Sequence, residues 1–205
     1  MKRVLFAAAA AWSLVAAAPA AAQEAFVGLL QHDVEFIGEA LGIGAAGKED
    51  GVDLHLGYRT GKIDALRAIG RPKAYGVLSL NSEGQSNWAA VGLGWTIELG
   101  SGGRWYLQPG IGIAYTDGED ELPDFREPGI TQAEALRRAR LRDERIEFGS
   151  NVLFEPELAL GYRFTERFGA ELAYTHLSNG QIFAQGQNDG LDALGVRLVY
   201  SFGGD

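Results

Sequence analysis

Two runs of strict alternation, joined by a glycine-rich turn, limit what this chain can fold into. In the first, Val91, Leu93, Trp95, Ile97 and Leu99 alternate with Gly92, Gly94, Thr96 and Glu98. Gly100-Ser101-Gly102-Gly103 follows. Trp105, Leu107, Pro109, Ile111, Ile113 and Tyr115 then alternate with Tyr106, Gln108, Gly110, Gly112 and Ala114. A period of two marks a strand with one apolar face, and two such runs about a tight turn predict a hairpin. The pattern recurs from Val52 to Arg59, from Phe148 to Phe164, and on both sides of a loop between Leu172 and Phe202. Weaker strand signals at 26–36 and 73–80 bring the expected number to eight.

The two faces differ in kind. One gathers Leu, Ile, Val, Trp, Tyr and Phe. The other gathers Gly together with Asp53, His55, Arg59, Glu98, Gln108, Glu155, Glu157, Arg163, Glu171 and Arg197. Ten polar side chains do not fit a dry apolar core unless they are paired. The lumen of a small barrel can hold them as an ion-pair network, with the apolar face turned to lipid. A soluble barrel with the faces reversed would need all these charges outside and the aromatic strings inside. The expected fold is therefore all-β, an eight-stranded antiparallel transmembrane β-barrel. Tyr58, Trp95, Trp105, Tyr115, Tyr162, Tyr174 and Tyr200 supply its interface girdles.

Export is expected from the first residues. Lys2-Arg3, the apolar run from Val4 to Ala18 and Ala20-Ala21-Ala22 have the three parts of a secretory signal cleaved after Ala22, so 1–22 reads as signal peptide and 23–205 as the barrel. With the N-terminus on the periplasmic side, the outer connections are 38–50, 81–87, 117–147 and 179–190, and the inner turns include 100–103 and 165–167. Long outer loops and short periplasmic turns are the habit of outer-membrane barrels. Segment 60–72, with a short helical tendency, is the misfit. Segment 117–147 is the longest insertion, acidic and then helical, and carries Arg137, Arg138, Arg140, Arg142 and Arg145. These read as a solvated helix bridged to its own glutamates, or as contacts for lipid phosphates. The formal charge of −9 argues against nucleic acid as partner, and there is no cysteine.

Chemistry concentrates at 172–202. His176 and Ser178 share strand parity with Leu172 and Tyr174, and Asp192 shares parity with Leu194, Val196, Leu198, Tyr200 and Phe202, so acid, base and hydroxyl all fall on the apolar face. In a membrane barrel that face meets lipid, where polar groups are costly and point to function. A base that accepts the hydroxyl proton, itself oriented by a carboxylate, makes serine a nucleophile. Asn179, the backbone of Gly180, and Asn188 are the nearby donors for an oxyanion. His32-Asp33 is a second His–acid pair, read as structural, and His55 as an interior hydrogen-bonding residue.

The string His176-x-Ser178-Asn179 followed by Asn188-x-Gly190-x-Asp192 resembles the outer-membrane lipid A 3-O-deacylases, also called acyloxyacyl hydrolases. The specific match covers about 30 residues, with Gly28 to Val34 as a further similar element. The resemblance implies an outer-membrane barrel with a Ser–His–acid site on its outer wall. That site would hydrolyse the 3-position ester of lipid A within lipopolysaccharide and release a 3-hydroxy fatty acid. It implies Ser178 as nucleophile, His176 as general base and acid, Asp192 as orienting carboxylate, and Asn179, Gly180 and Asn188 at the oxyanion, with no cofactor and no metal. The family pattern has Glu where Asp192 stands, and its loop between the two asparagines is about two residues shorter, so Asp189 is a rival for the acid. Two other readings compete: a non-enzymatic structural or adhesion barrel, and an outer-membrane phospholipase.

Overall fold

The computed structural model describes residues 23–35, 47–184 and 187–202. The expected signal 1–22, Phe36 and most of the first outer loop lie outside the described residues. Nine strands follow in order: β1 (Gln23–Gln31), β2 (Val52–Lys62), β3 (Lys73–Asn81), β4 (Trp88–Gly94), β5 (Ile97–Leu99), β6 (Trp105–Thr116), β7 (Val152–Arg163), β8 (Phe168–Leu177) and β9 (Leu191–Phe202). The strands of β4 and β5 both pair with β6 and form one barrel strand broken at Trp95-Thr96. There the Trp95 backbone N–H donates to the Pro109 carbonyl (2.9 Å) and its indole to the Ile69 carbonyl (2.7 Å). With β4 and β5 counted as one, each barrel strand pairs antiparallel with its neighbour in the chain, and β1 pairs with β9 from Gln23↔Phe202 to Gln31↔Leu194. The sheet thus closes as an eight-stranded barrel through β4 and β6, and among the described strands only the three-residue β5 is paired on one side alone.

The outer wall is apolar. Leu29, Ile111, Leu158, Leu172, Val196 and Leu198 are all exposed, Leu172 at 53% and Leu198 at 59%. A continuous apolar belt of this kind is untenable in water and fits lipid. Rings of aromatic side chains close one end of the belt, where Trp105 meets Tyr162, Phe168 meets Tyr200, and Tyr58 and Tyr200 meet Phe202. That end carries the short turns; the opposite end carries the long loops.

The lumen is filled with paired polar groups. Arg59 makes two hydrogen bonds to Glu171 (2.6 and 2.9 Å), and Tyr106 donates to the same carboxylate (2.9 Å). Arg197 donates to Glu157 (2.7 Å) and to Thr175 and lies beside His55, while the Tyr75 hydroxyl bonds Glu155. Both guanidinium groups lie over the Phe26 ring. That ring occupies the space above Gly57, where a Cβ would stand 2.0 Å from it, so only glycine fits opposite. Glu98 and Arg163 do not belong to this interior set as expected. They pair with each other (2.7 Å) at the short-turn mouth, where Glu98 is exposed.

An apolar plug closes the long-loop end. Trp88, Ile146, Phe148, Leu153, Leu177 and Leu191 are fully buried in one cluster. Phe148 is therefore not the start of a strand. It folds back into the barrel mouth from the β6–β7 connection, and β7 begins four residues later. The helix in that connection, α1 (Gln132–Glu144), is capped by the Thr131 side chain and buries no residue. The misfit connection is shorter than expected, because β2 runs on to Lys62 before a 3-10 segment (Asp64–Ile69) kinked at Leu66.

Candidate active site on the outer wall

At the long-loop end, β8 and β9 place His176 and Asp192 directly opposite each other. Cross-strand partners on one face lie within side-chain reach, and here His176 Nδ1 stands 2.6 Å from Asp192 Oδ1. An ionised carboxylate only accepts, so Nδ1 is the donor in this bond, and in the neutral ring that assignment puts the lone pair on Nε2. Asp192 is fully buried and His176 nearly so, although both lie on the parity that faces lipid lower down the strands. The Tyr174 hydroxyl, two residues before His176, donates to the same Asp192 Oδ1 (2.8 Å). Sequence parity had placed Tyr174 on this face; its bond to the acid followed only from the β8–β9 register.

Ser178 stands two residues beyond His176, half-buried, just past the end of β8. Its backbone exchanges two hydrogen bonds with Phe154 of β7 (2.7 and 3.2 Å), an isolated bridge that resumes the β7–β8 ladder. The gap in the ladder lies opposite Pro156, which has no N–H to give. Among the described residues no hydrogen bond joins the Ser178 hydroxyl to the imidazole. Apo sites commonly hold this contact open until substrate arrives.

The loop after Ser178 is built by Asn179. Its side-chain NH2 donates to the carbonyls of Phe148 (2.7 Å) and Gln187 (3.2 Å), and its side-chain oxygen accepts from Gln181 N–H (2.6 Å). Both amide hydrogens are thus engaged in shaping the loop. Asn188 is held differently: its side-chain oxygen accepts the Asn179 backbone N–H (2.9 Å). Gly180 takes a left-handed conformation (φ 59°), with the Phe154 ring against its α-carbon. Phe154 in turn packs on Phe183, and Ile182 beside it is 74% exposed, so an apolar shelf borders the serine.

Asp189 goes elsewhere. It binds Lys48 Nζ (2.7 Å), the Glu147 N–H and Gln187, and although burial raises its pKa, these donors outweigh burial and hold it below the usual carboxylate range. His32 does not pair with Asp33. Its ring lies between Asp53 (2.8 Å) and Glu49 (3.2 Å), and Asp33 accepts the backbone N–H groups of Lys48 and Glu49 instead. Burial opposes charge on His32, but the two carboxylates outweigh it and push the ring up to about 9. Glu49 also binds Arg145 (2.8 Å), and Val34 N–H donates to the Asp192 backbone carbonyl (2.8 Å). The first and third outer loops therefore grip the strand that carries the acid. Long-range contacts of this kind leave no periodic trace in a sequence. Of the other arginines, Arg137 and Arg138 bridge to Glu134 and Arg142 to Glu147, in keeping with a solvated, self-paired helix.

A family model described as lipid A 3-O-deacylase (PagL) matches residues 74–201, more than half of the chain and all of the segment that bears His176, Ser178 and Asp192. The chain belongs to the lipid A 3-O-deacylase family. Among solved structures, that of the outer membrane enzyme PagL aligns with a TM-score of 0.50 at 15% identity, over 87% of this deacylase-family chain and 98% of PagL. A de novo designed transmembrane β-barrel aligns at 0.49 and 9% identity, covering 90% and 98% of the two chains. Ail of Yersinia pestis aligns at 0.43 and 11%, covering 90% and 100%. At such identities the likeness to PagL is one of fold, an outer-membrane barrel. A search of curated proteins returns no match.

Proposed function

We propose that this chain is a serine esterase of the outer leaflet that cleaves the 3-position acyl ester of lipid A and releases a 3-hydroxy fatty acid. The observation that carries the reading is an acid–imidazole pair on the lipid-facing parity of β8 and β9, with a serine two residues along the same face. His176 Nε2 takes the Ser178 proton as the oxygen attacks the ester carbonyl, and Asp192 stabilises the imidazolium that forms. The imidazolium then gives its proton to the departing sugar oxygen. Water, activated by the same ring, hydrolyses the acyl-enzyme to the free acid. The Gly180 N–H and the side-chain NH2 of Asn188, whose oxygen is already engaged by Asn179, are the donors this reading gives to the oxyanion. For Asn179 to join them, it would have to release one of its two carbonyl partners. The site needs no metal for these steps. Residues 1–22 serve as the cleaved export signal in this reading.

The test is mass spectrometry of lipid A from cells expressing the protein. The wild type removes one 3-hydroxyacyl mass, and Ser178→Ala and His176→Ala leave lipid A intact while still migrating as folded, heat-modifiable barrels. Intact lipid A in the presence of well-folded wild-type protein would refute the assignment.

A further inference from the structure

Two donors converge on one oxygen of Asp192. His176 Nδ1 lies 2.6 Å and the Tyr174 hydroxyl 2.8 Å from Oδ1, whereas Oδ2 is buried and has no hydrogen-bond partner among the described residues. A carboxylate held only by an imidazole can turn about its Cβ–Cγ bond and offer either oxygen. A second donor on the same oxygen fixes that torsion and keeps Oδ1 in line with the ring. The imidazole plane is then set, and with it the direction of the Nε2 lone pair toward the strand position of Ser178.

We propose that Tyr174 is a positioning residue of the hydrolytic site, acting through Asp192, so that the outer wall carries a Tyr–Asp–His–Ser relay. This inference rests on the serine-esterase reading above. Three observations support it. Tyr174 and His176 are two apart on β8, so both side chains leave the same face. Asp192 lies opposite His176, and Leu194, the next residue on that face of β9, lies opposite Tyr174, so the phenol reaches the acid on the diagonal. Tyr174 is also only half-exposed, unlike the open girdle residues Trp105 and Tyr200, so its hydroxyl is spent on the acid rather than on headgroup water. Asp192 has a short side chain, and its backbone carbonyl is held from the other side by Val34 N–H, so its carboxylate has little freedom to find the imidazole by itself.

Tyr174→Phe removes the hydroxyl and keeps the ring, the lipid contact and the strand. In detergent micelles with lipid A as substrate, kcat is expected to fall about tenfold with KM within about twofold, the scale of one charge-assisted hydrogen bond lost from an orienting group. Labelling of Ser178 by a fluorophosphonate, which needs no lipid recognition, is expected to slow by a similar factor. Tyr200→Phe, an interface tyrosine at the other end of the barrel, is the control and leaves both rates unchanged. Wild-type kcat and labelling in Tyr174→Phe would overturn the proposal, as would a change confined to KM, which marks a lipid contact. If Ser178→Ala and Asp192→Asn abolish activity while Tyr174→Phe does not, only the role of Tyr174 falls. If Ser178→Ala keeps full activity, the serine-esterase reading falls and this inference with it.

Discussion

At the scale of single residues, the competition between Asp192 and Asp189 is one of partners. Both are acidic and three positions apart, and each is within reach of the β8–β9 loop. Asp192 is directly across the ladder from His176 and shares its face. Asp189 precedes the strand and is held by Lys48 and by the Glu147 N–H. Asp192→Asn keeps size and burial but gives His176 an amide that can favour the wrong tautomer, the defect that costs about 10⁴ in related triads. Asp189→Asn keeps an acceptor for the Glu147 N–H and loses a partly exposed ion pair worth only about 0–1 kcal/mol. The expected outcome is a loss of about 10³ or more in kcat for Asp192→Asn and a change within about threefold for Asp189→Asn, read by deacylation of lipid A in micelles. The reverse ranking would show that the acid lies in the loop and not on the strand. In the proposed site, the one methylene that separates Asp192 from the Glu expected from the resemblance is met by a register in which the acid lies directly across from His176.

At the scale of elements, the strands and the places of the loops were readable, and the contacts that hold the loops together were not. Alternation located β2, β6, β7 and β9 within a few residues, and read as one strand the run from Val91 to Leu99 that breaks into β4 and β5, because each has lipid on one side and a polar lumen on the other. In β1 the signal failed: Phe26 and Leu30 point inward, one onto Gly57 and the other into a fully buried position, while Val27 and Leu29 meet lipid, so both faces are apolar. Phe148 misled for a related reason. It is an apolar residue at the right spacing for a strand, yet it is captured by the plug at the barrel mouth. The outer loops cohere through groups far apart in the chain: His32, Glu49, Asp53 and Arg145 form one buried clasp. Its pH dependence has a definite sign. The folded His32 pKa of about 9 lies above the ordinary 6.5, so the clasp's contribution is complete below about pH 6.5 and is lost as pH rises through about 9. Once His32 is neutral, Glu49 and Asp53 face each other with only Arg145 as cation. Thermal unfolding followed from pH 6 to 10 is expected to show the wild-type advantage over His32→Gln shrinking across that interval. Parallel curves for the two proteins would rule out a charged His32.

At the scale of the whole molecule, the barrel reverses the usual sense of inside and outside, and its stability depends on how completely the lumen's charges are paired. Arg59 is fully buried; Glu171 holds it with two hydrogen bonds, while Glu24 (3.5 Å) and Glu157 (3.9 Å) stand farther away. A buried ion pair contributes little net stability over an apolar pair of similar volume, because desolvation of both ions offsets their attraction, but removing one partner leaves a bare charge in a low-dielectric space. Glu171→Leu takes the main acceptor from Arg59 and also from the Tyr106 hydroxyl. It is expected to destabilise the barrel by about 3–5 kcal/mol, measured by reversible denaturant unfolding in micelles. The double variant Arg59→Met/Glu171→Leu should recover most of that loss, since no uncompensated ion remains and the two apolar side chains can pack around Phe26. If the double variant were as unstable as the sum of both single variants, the pair would be a true source of stability and the lumen more than a set of mutually neutralised charges. If both single variants were harmless, water would have to reach Arg59 from the short-turn mouth, where Arg163 and Glu98 already sit partly exposed. Recovery in the double variant alone fits a lumen whose polar content is tolerated because it is paired, leaving the apolar outer wall to place the proposed hydrolytic groups in the plane of the lipid.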